Sequence, residues 1–261
     1  MKRRDLIIGT TAVTLGAAAT LGTRAVAEAV AADDPLPLYS GPAATARPDR
    51  RTAPKHPGVG VHWGVNTAKK LVALTFDDGP MPNWTPRVLD TLDSERVPAT
   101  FFMVGRNAET HGDLVRGRLA RHEVGNHTWA HLDLAKADYA GAREAIERAH
   151  RALAPLAGRE PVLLRPPYGH LAGATLLAAA DLGYAIALWN LQMLESEYVD
   201  NPPGLVDYIV TTASPGTILL AHDTGNDDRL VAIQGLGDMI AGLRRRGFEF
   251  VTASQLLAED G

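Results

Sequence analysis

The chain contains no cysteine, which excludes a disulfide framework, a thiolate nucleophile and any zinc site built on sulfur. Any metal must therefore sit on His, Asp or Glu. An excess of basic charge is also missing: 26 Lys and Arg face 30 Asp and Glu, for a net charge of −4. Without a basic patch there is no electrostatic reason to bind nucleic acid. Aromatic residues are sparse at 6%, and no apolar run reaches the roughly 20 residues a membrane span needs. The 25 Gly and 17 Pro follow no fixed period, which excludes a collagen-like repeat, and an apolar content of 46% is too high for disorder throughout. What remains is a globular chain of 261 residues, long enough for one large domain or two small ones.

Lys2, Arg3 and Arg4 precede an apolar run from Leu6 to about Gly22, and Ala25-Val26-Ala27 and Ala29-Val30-Ala31 follow it. A basic head, an apolar middle and small residues at a cleavage site read as a cleaved export signal over residues 1–31, with a retained N-terminal anchor as the alternative. Arg3-Arg4-Asp5-Leu6-Ile7 resembles the twin-arginine signature, with Lys2 where Ser or Thr is common. The expectation is a secreted or cell-wall-associated protein with no stable membrane span in its mature form. Residues 32–67 are rich in Pro, Gly, Ala and Arg and lack periodicity, so they read as a linker, with His56 and His62 solvated rather than ligating. Residues 68–261 are the expected catalytic domain.

From Lys70 onward short apolar runs alternate with helical patterns. Strands are expected at Leu71–Phe76, Ala99–Val104, Glu123–Gly125, Val162–Leu164, Tyr184–Trp189, Thr217–Ala221 and Phe248–Val251. Helices are expected at Pro86–Arg96 with Thr85 as N-cap, near Gly112–Arg121, and at Asp138–Leu153, Gly173–Leu182, Gly204–Thr212 and Arg229–Arg246. This α/β pattern implies about seven parallel strands with outer helices, most simply closed as a barrel. Chemistry in such barrels gathers on the loops after the strands. Asp77 and Asp78, His127 and His131, Arg165 and Tyr168, Trp189 to Glu195, and His222-Asp223 all fall at strand ends.

His127-Thr128-Trp129-Ala130-His131 places two imidazoles four residues apart, on one face of a helical turn, where both can reach one metal. Taken alone, the pair could be two unrelated surface histidines, and Asp77-Asp78 alone could be a capping pair at a turn. Together at neighbouring strand ends they suggest a two-His, one-carboxylate site with open positions for water and substrate. The donors suit zinc, and also accommodate cobalt, nickel or iron.

At these residues a resemblance becomes specific. Thr75-Phe76-Asp77-Asp78-Gly79-Pro80, His127-Thr128-Trp129-Ala130-His131, Arg165-Pro166-Pro167-Tyr168-Gly169 and Leu220-Ala221-His222 resemble, in order, four of the five motifs of the polysaccharide deacetylases, carbohydrate esterase family 4. The resemblance spans about Lys70 to Ala253. It implies hydrolysis of an N-acetyl or O-acetyl group on a polymeric sugar, on a distorted (β/α) barrel, with one divalent ion. Zinc is the expected ion, with cobalt or nickel as alternatives. By similarity Asp78, His127 and His131 would hold the ion, and Asp77 would act as general base with Arg165 as its partner. The backbone N–H of Tyr168, fixed by Pro166 and Pro167, would face the oxyanion. His222 would protonate the departing amine, and Leu220 would line the acetyl slot. For Asp77 and Asp78 to reach one site, the bend at Gly79-Pro80 must begin early.

The fifth motif departs from the family pattern, which has Asp-x-x-Asp-Trp shortly after a Trp. Counting from Trp189, this chain has Gln192-Met193-Leu194-Glu195-Ser196. Glu195 stands where a carboxylate would orient the catalytic His, and Ser196 where a Trp would wall the acetate slot. Trp189 belongs either to the core or to the pocket. The implied substrate is a polysaccharide: peptidoglycan first, chitin oligomers next, acetylated xylan third. A monomer is expected. The competing readings are a non-catalytic carbohydrate-binding protein on the same scaffold and a metallohydrolase of some other acyl substrate.

Overall fold

The computed structural model describes residues 58–259. The expected export signal and most of the expected linker lie outside the described residues.

Nine strands form one curved sheet: β1 (Val61–His62), β2 (Leu71–Asp77), β3 (Thr100–Met103), β4 (Glu123–Asn126), β5 (Leu163–Leu164), β6 (Ala185–Ala187), β7 (Leu191–Gln192), β8 (Thr217–His222) and β9 (Glu249–Phe250). The spatial order is β1-β6-β5-β4-β3-β2-β8-β7, with β9 added beside the start of β2, and every strand pair is parallel. An antiparallel bridge from Gly64 to Thr217 ties the segment after β1 to the start of β8. The result is the distorted (β/α) barrel expected from the alternation. The helices are α1 (Thr85–Glu95), α2 (Gly105–His111), α3 (Tyr139–Ala157), α4 (Gly173–Asp181), α5 (Pro202–Thr212), α6 (Leu230–Arg245) and α7 (Ala253–Leu257). None among the described residues is long and apolar enough to cross a membrane.

Strand alternation sorts the core into layers. Val72, Leu74 and Phe76 of β2, Phe101 and Met103 of β3, and Leu219 and Ala221 of β8 pack outward against α1, α5 and α6. Leu164 and Ile186 pack outward against α3 and α4. The opposite parity, Leu71, Ala73, Phe102, Leu163, Ala187 and Ile218, makes an inner apolar layer with Ala253 and Leu256 of α7. Glu123, also buried, accepts hydrogen bonds from Thr100 Oγ1 at 2.9 Å and from the N–H of Ser254 at 3.0 Å, so it fastens α7 to the barrel.

Several expected boundaries move. The stretch expected as linker to residue 67 ends in strand β1, whose Val61 and His62 pair with Ile186 and Ala187, and Val65 enters the inner layer. Pro and Gly content concealed that pairing, because a two-residue strand has no periodicity to detect. The helix expected near Gly112–Arg121 is instead α2 at Gly105–His111, followed by a 3-10 turn at Gly112–Leu114, and Gly117 takes the left-handed φ of 79° that breaks any continuation. The strand expected at Tyr184–Trp189 is shorter, β6 at Ala185–Ala187, and a further short strand, β7 at Leu191–Gln192, follows it and pairs with β8. Thr85 does not cap α1 from outside: it is the first helical residue, and its hydroxyl serves Asp223 instead.

Candidate active site

The inward parity that builds the apolar layer continues into polar residues at the carboxyl ends of the strands. On β2 the series Leu71, Ala73, Thr75 ends in Asp77; on β8 the series Ile218, Leu220 ends in His222. Leu163 of β5 is followed on its face by Arg165, and Glu123 and Gly125 of β4 are followed by His127. Gly125 leaves its inward position to the ring of Phe102, which a Cβ would meet at 2.4 Å. Register then sets Asp77 level with His222 on one side and Phe102 on the other.

Arg165 is fully buried and lies over the Phe102 ring, 4.0 Å from its centroid. Its Nε donates to Ala187 O at 2.9 Å, its Nη2 to Leu188 O at 2.9 Å, and its Nη1 to Thr75 Oγ1 at 2.8 Å and Asp77 Oδ1 at 2.7 Å. Burial alone would push the guanidinium down in pKa, and the Asp77 charge opposes that. The pairing of Arg165 with Asp77 is thus a desolvated, hydrogen-bonded ion pair rather than a surface one. With Oδ1 engaged, Asp77 turns Oδ2 toward His127 Nε2, 3.8 Å away.

The early bend that two adjacent aspartates require is present in the backbone. Asp78 has a φ of 80°, so the strand alternation breaks at that residue and its side chain joins Asp77 on the same side. Asn107 Nδ2 donates to Asp78 O at 2.7 Å and holds the turn from α2. Below it, Asp223 accepts from the Gly79 N–H at 2.9 Å and from Thr85 Oγ1 at 2.6 Å, while the Asp223 N–H donates to Asp77 O at 3.2 Å. Burial, with the charges of Asp78 and Asp77, pushes the Asp223 carboxyl up to about 7 against the pull of the Thr85 and Gly79 bonds.

His127 and His131 do not sit on a helical turn as their spacing suggests. The segment after β4 is a tight turn in which Thr128 (φ 65°) and His131 (φ 56°) are left-handed. Asn126 stabilises it: its Oδ1 accepts from the Thr128 N–H at 2.9 Å, and its Nδ2 donates to Ile146 O and Tyr184 Oη, both at 3.0 Å. The turn still brings the two rings to 5.0 Å between centroids. His127 Nδ1 meets Arg165 O at 2.7 Å; a carbonyl only accepts, so Nδ1 carries the proton and Nε2 presents its lone pair to the site.

Asp78 Oδ1 lies 3.4 Å from His127 Nε2 and 3.2 Å from His131 Nε2, and the donor atoms of the three residues fall within 4.8 Å of one another. This oxygen is buried and has no hydrogen-bond partner among the described residues. An orphaned buried carboxylate oxygen facing two imidazole nitrogens is what a divalent cation would satisfy, so the residues fit the group. Burial disfavours the Asp78 charge, but His127, then His222 and His131, outweigh it and hold the carboxyl well below the usual range. The His127 imidazole is depressed by burial but raised on balance by Asp77 and Asp78; that of His131 is lowered by burial and by repulsion from His127.

Around this centre stand the other expected residues. His222 Nδ1 faces the buried carboxylate of Glu195 at 3.4 Å, which directs Nε2 away from Glu195. Leu220 is buried two residues before His222 on the same face. Tyr168, after Pro166 and Pro167, is left-handed (φ 63°) and sets its ring edge-on to His131 at 4.7 Å. Trp189 packs against both the inner layer and the α3/α4 layer while bordering a surface cavity, so it is core and pocket at once. Asn126, Asn107 and Thr85 escaped the sequence reading because each acts through a backbone group or a carboxylate far away in the chain. Arg229, whose Nη1 reaches Asp78 Oδ2 at 3.5 Å, escaped it because it read only as a helix start.

A family model described as polysaccharide deacetylase matches residues 64–187. Among curated proteins, a peptidoglycan-N-acetylglucosamine deacetylase of Bacillus cereus is 36% identical over 201 residues, covering 76% of this chain and 92% of that protein. A chitooligosaccharide deacetylase of Bradyrhizobium sp. is 34% identical over 209 residues, covering 75% and 94%. Among solved structures, the Bc1960 peptidoglycan N-acetylglucosamine deacetylase gives a TM-score of 0.70 at 32% identity, covering 74% of this chain and 91% of that one.

Proposed function

The chain belongs to the polysaccharide deacetylase family, and from that premise we propose that it hydrolyses the N-acetyl group of N-acetylglucosamine units in a glycan, with peptidoglycan as the favoured polymer and chitin oligomers next. The observation that carries this reading is the Asp78, His127 and His131 donor cluster set beside an Asp77 whose other oxygen is locked by Arg165. Asp78, His127 and His131 would hold one divalent ion, with zinc the best match to nitrogen and oxygen donors and cobalt or nickel as alternatives. Bound there, such an ion supplies positive charge that acidifies water and polarises the acyl oxygen.

The chain's own groups supply the remaining steps. Asp77 Oδ2, free of Arg165, takes a proton from the attacking water as its oxygen bonds to the acetyl carbon. The Tyr168 N–H, on a backbone fixed by Pro166 and Pro167, donates to the oxygen that gains charge. Leu220 offers an apolar wall for the methyl group. His222, aligned by Glu195, gives a proton to the sugar nitrogen as the C–N bond breaks, so that acetate and a free amine leave. Glu195 would fill the place of the family's second aspartate, a reading supported by its 3.4 Å contact with His222.

The reading of residues 1–31 as an export signal supports a location outside the cytoplasm, where peptidoglycan is found. The altered Gln192–Ser196 segment supports a second reading, a carbohydrate binder without turnover. Acetate release decides between them: the full chain, stripped with a chelator and restored with zinc, cobalt or nickel, is offered peptidoglycan, chitin oligomers and acetylated xylan. Release restored by metal from a GlcNAc polymer is expected. One equivalent of metal bound with no release from any substrate would overturn the hydrolase reading in favour of the binder, and release from xylan alone would overturn the amide substrate.

A further inference from the structure

Trp63 sits where the sequence promised only a linker, and it is 53% exposed. It follows β1 directly, so it leaves the carboxyl end of a parallel strand, the end from which Asp77, His127, Arg165 and His222 also project in theirs. The Leu188 N–H donates to His62 O at 2.7 Å, which fixes Trp63 beside Leu188 and Trp189. Trp63, Tyr168, Gly169, Leu188 and Trp189 line one cavity of about 200 Å³. Tyr168 is itself 60% exposed and its ring packs T-shaped with that of His131, 4.7 Å between centroids, so one residue borders both the cavity and the Asp78, His127 and His131 cluster. Gly169, at φ 68°, lets the wall approach: a Cβ there would come within 2.9 Å of the Trp189 ring.

We propose that Trp63, with Tyr168 and Trp189, forms a stacking subsite for a second pyranose ring of the glycan, next to the sugar that loses its acetyl group. No Asp, Glu, His, Lys or Arg lines the cavity, so its ligand presents an uncharged face rather than the carboxylates of a peptide or a uronic acid. The C–H face of a β-linked N-acetylhexosamine ring is apolar while its hydroxyls lie at the rim, which suits aromatic faces that remain half in water. The volume is below the roughly 300–1,000 Å³ of a site for a drug-sized ligand, so it takes one ring rather than an oligosaccharide. This subsite rests on the glycan reading of the active site and extends it to chain length: binding energy gained one ring away is available at the scissile amide only when the substrate carries a neighbouring ring.

The test compares the full chain with Trp63→Ala and Trp63→Phe, all loaded with zinc. N-acetylglucosamine as the monosaccharide, chitopentaose and a peptidoglycan glycan strand of matching length are the ligands, and both calorimetric Kd and acetate release are read. Trp63→Ala should weaken chitopentaose binding and raise its KM by about three- to tenfold, the worth of one aromatic stack. The monosaccharide should show little or no loss, and Trp63→Phe should recover most of the loss on the long glycans. A loss on either long glycan supports the subsite, and the larger loss identifies the polymer it serves. Equal losses on short and long ligands, or none on either long glycan, would overturn it. A change of oligomeric state in Trp63→Ala at unchanged glycan affinity would overturn it too and assign the patch to a second copy. If the wild type binds chitopentaose but releases no acetate, the deacetylase reading fails, while the Kd comparison still decides the subsite.

Discussion

Arg165 Nη1 stands 2.7 Å from Asp77 Oδ1, and both side chains are buried at the mouth of the barrel. The guanidinium spends its other donors on Thr75 Oγ1 and on the carbonyls of Ala187 and Leu188, so it cannot follow Asp77 if the carboxylate moves. One residue therefore fixes the geometry of Asp77 and ties β2, β5 and β6 together.

Arg165→Lys should be costly for that reason, since one ammonium cannot serve both the β2 and the β6 partners and the buried Asp77 charge loses its guanidinium donor. Breaking such a buried pair costs about 3–5 kcal/mol. Chemical denaturation should show that loss, and acetate release from the folded fraction should fall as well. A variant within about 0.5 kcal/mol of wild type would contradict the buried-pair account.

Asp77→Asn keeps size and the contact with Arg165 but removes the proton acceptor. Acetate release should drop by about 10²–10⁴-fold, while zinc still binds at one equivalent because Asp78, His127 and His131 are untouched. Loss of zinc in this variant would mean that Asp77 ligates rather than accepts a proton.

Glu195→Gln tests whether the atypical fifth motif still aligns His222. Its oxygen can accept from Nδ1 but no longer supports a positive imidazole, so kcat should fall by about 10²-fold with KM within about twofold. If KM rises and kcat stays, Glu195 serves substrate binding instead.

Asp223→Asn addresses the carboxylate under the Asp77-Asp78 turn. Its folded pKa of about 7 exceeds the unfolded value of 3.8, so the protonated carboxyl favours the native state. That contribution is fully present below about pH 4 and is lost as pH rises through about 7. In chelated protein, the Tm of wild type minus that of Asp223→Asn should therefore decrease between pH 4 and pH 7.5. Parallel curves would show that Asp223 keeps an ordinary pKa.

Much of the site was legible from the chain because its polar residues interrupt apolar strands at their ends. Asp77, His127, Arg165 and His222 each occupy the last inward position of a strand or the next one beyond its end, and period-two alternation carries that information within a few residues. The distorted barrel followed from the same alternation of short strands and helices. The helical reading of His127 and His131 failed because a four-residue spacing fits a helix, while the left-handed residues and the Asn126 bond that make a turn leave no periodic trace.

What the sequence determined by itself was therefore local: strand parity, the break at Asp78-Gly79-Pro80, and the donor types available at the strand ends. Only the tertiary structure decided which distant groups meet there. Thr85 reaches Asp223 across 138 residues, Arg165 reaches Thr75 across 90, and Trp63 borders a cavity with Tyr168 and Trp189. Such partners are chosen by barrel register and closure, a property of all the strands at once, so no window of sequence contains them.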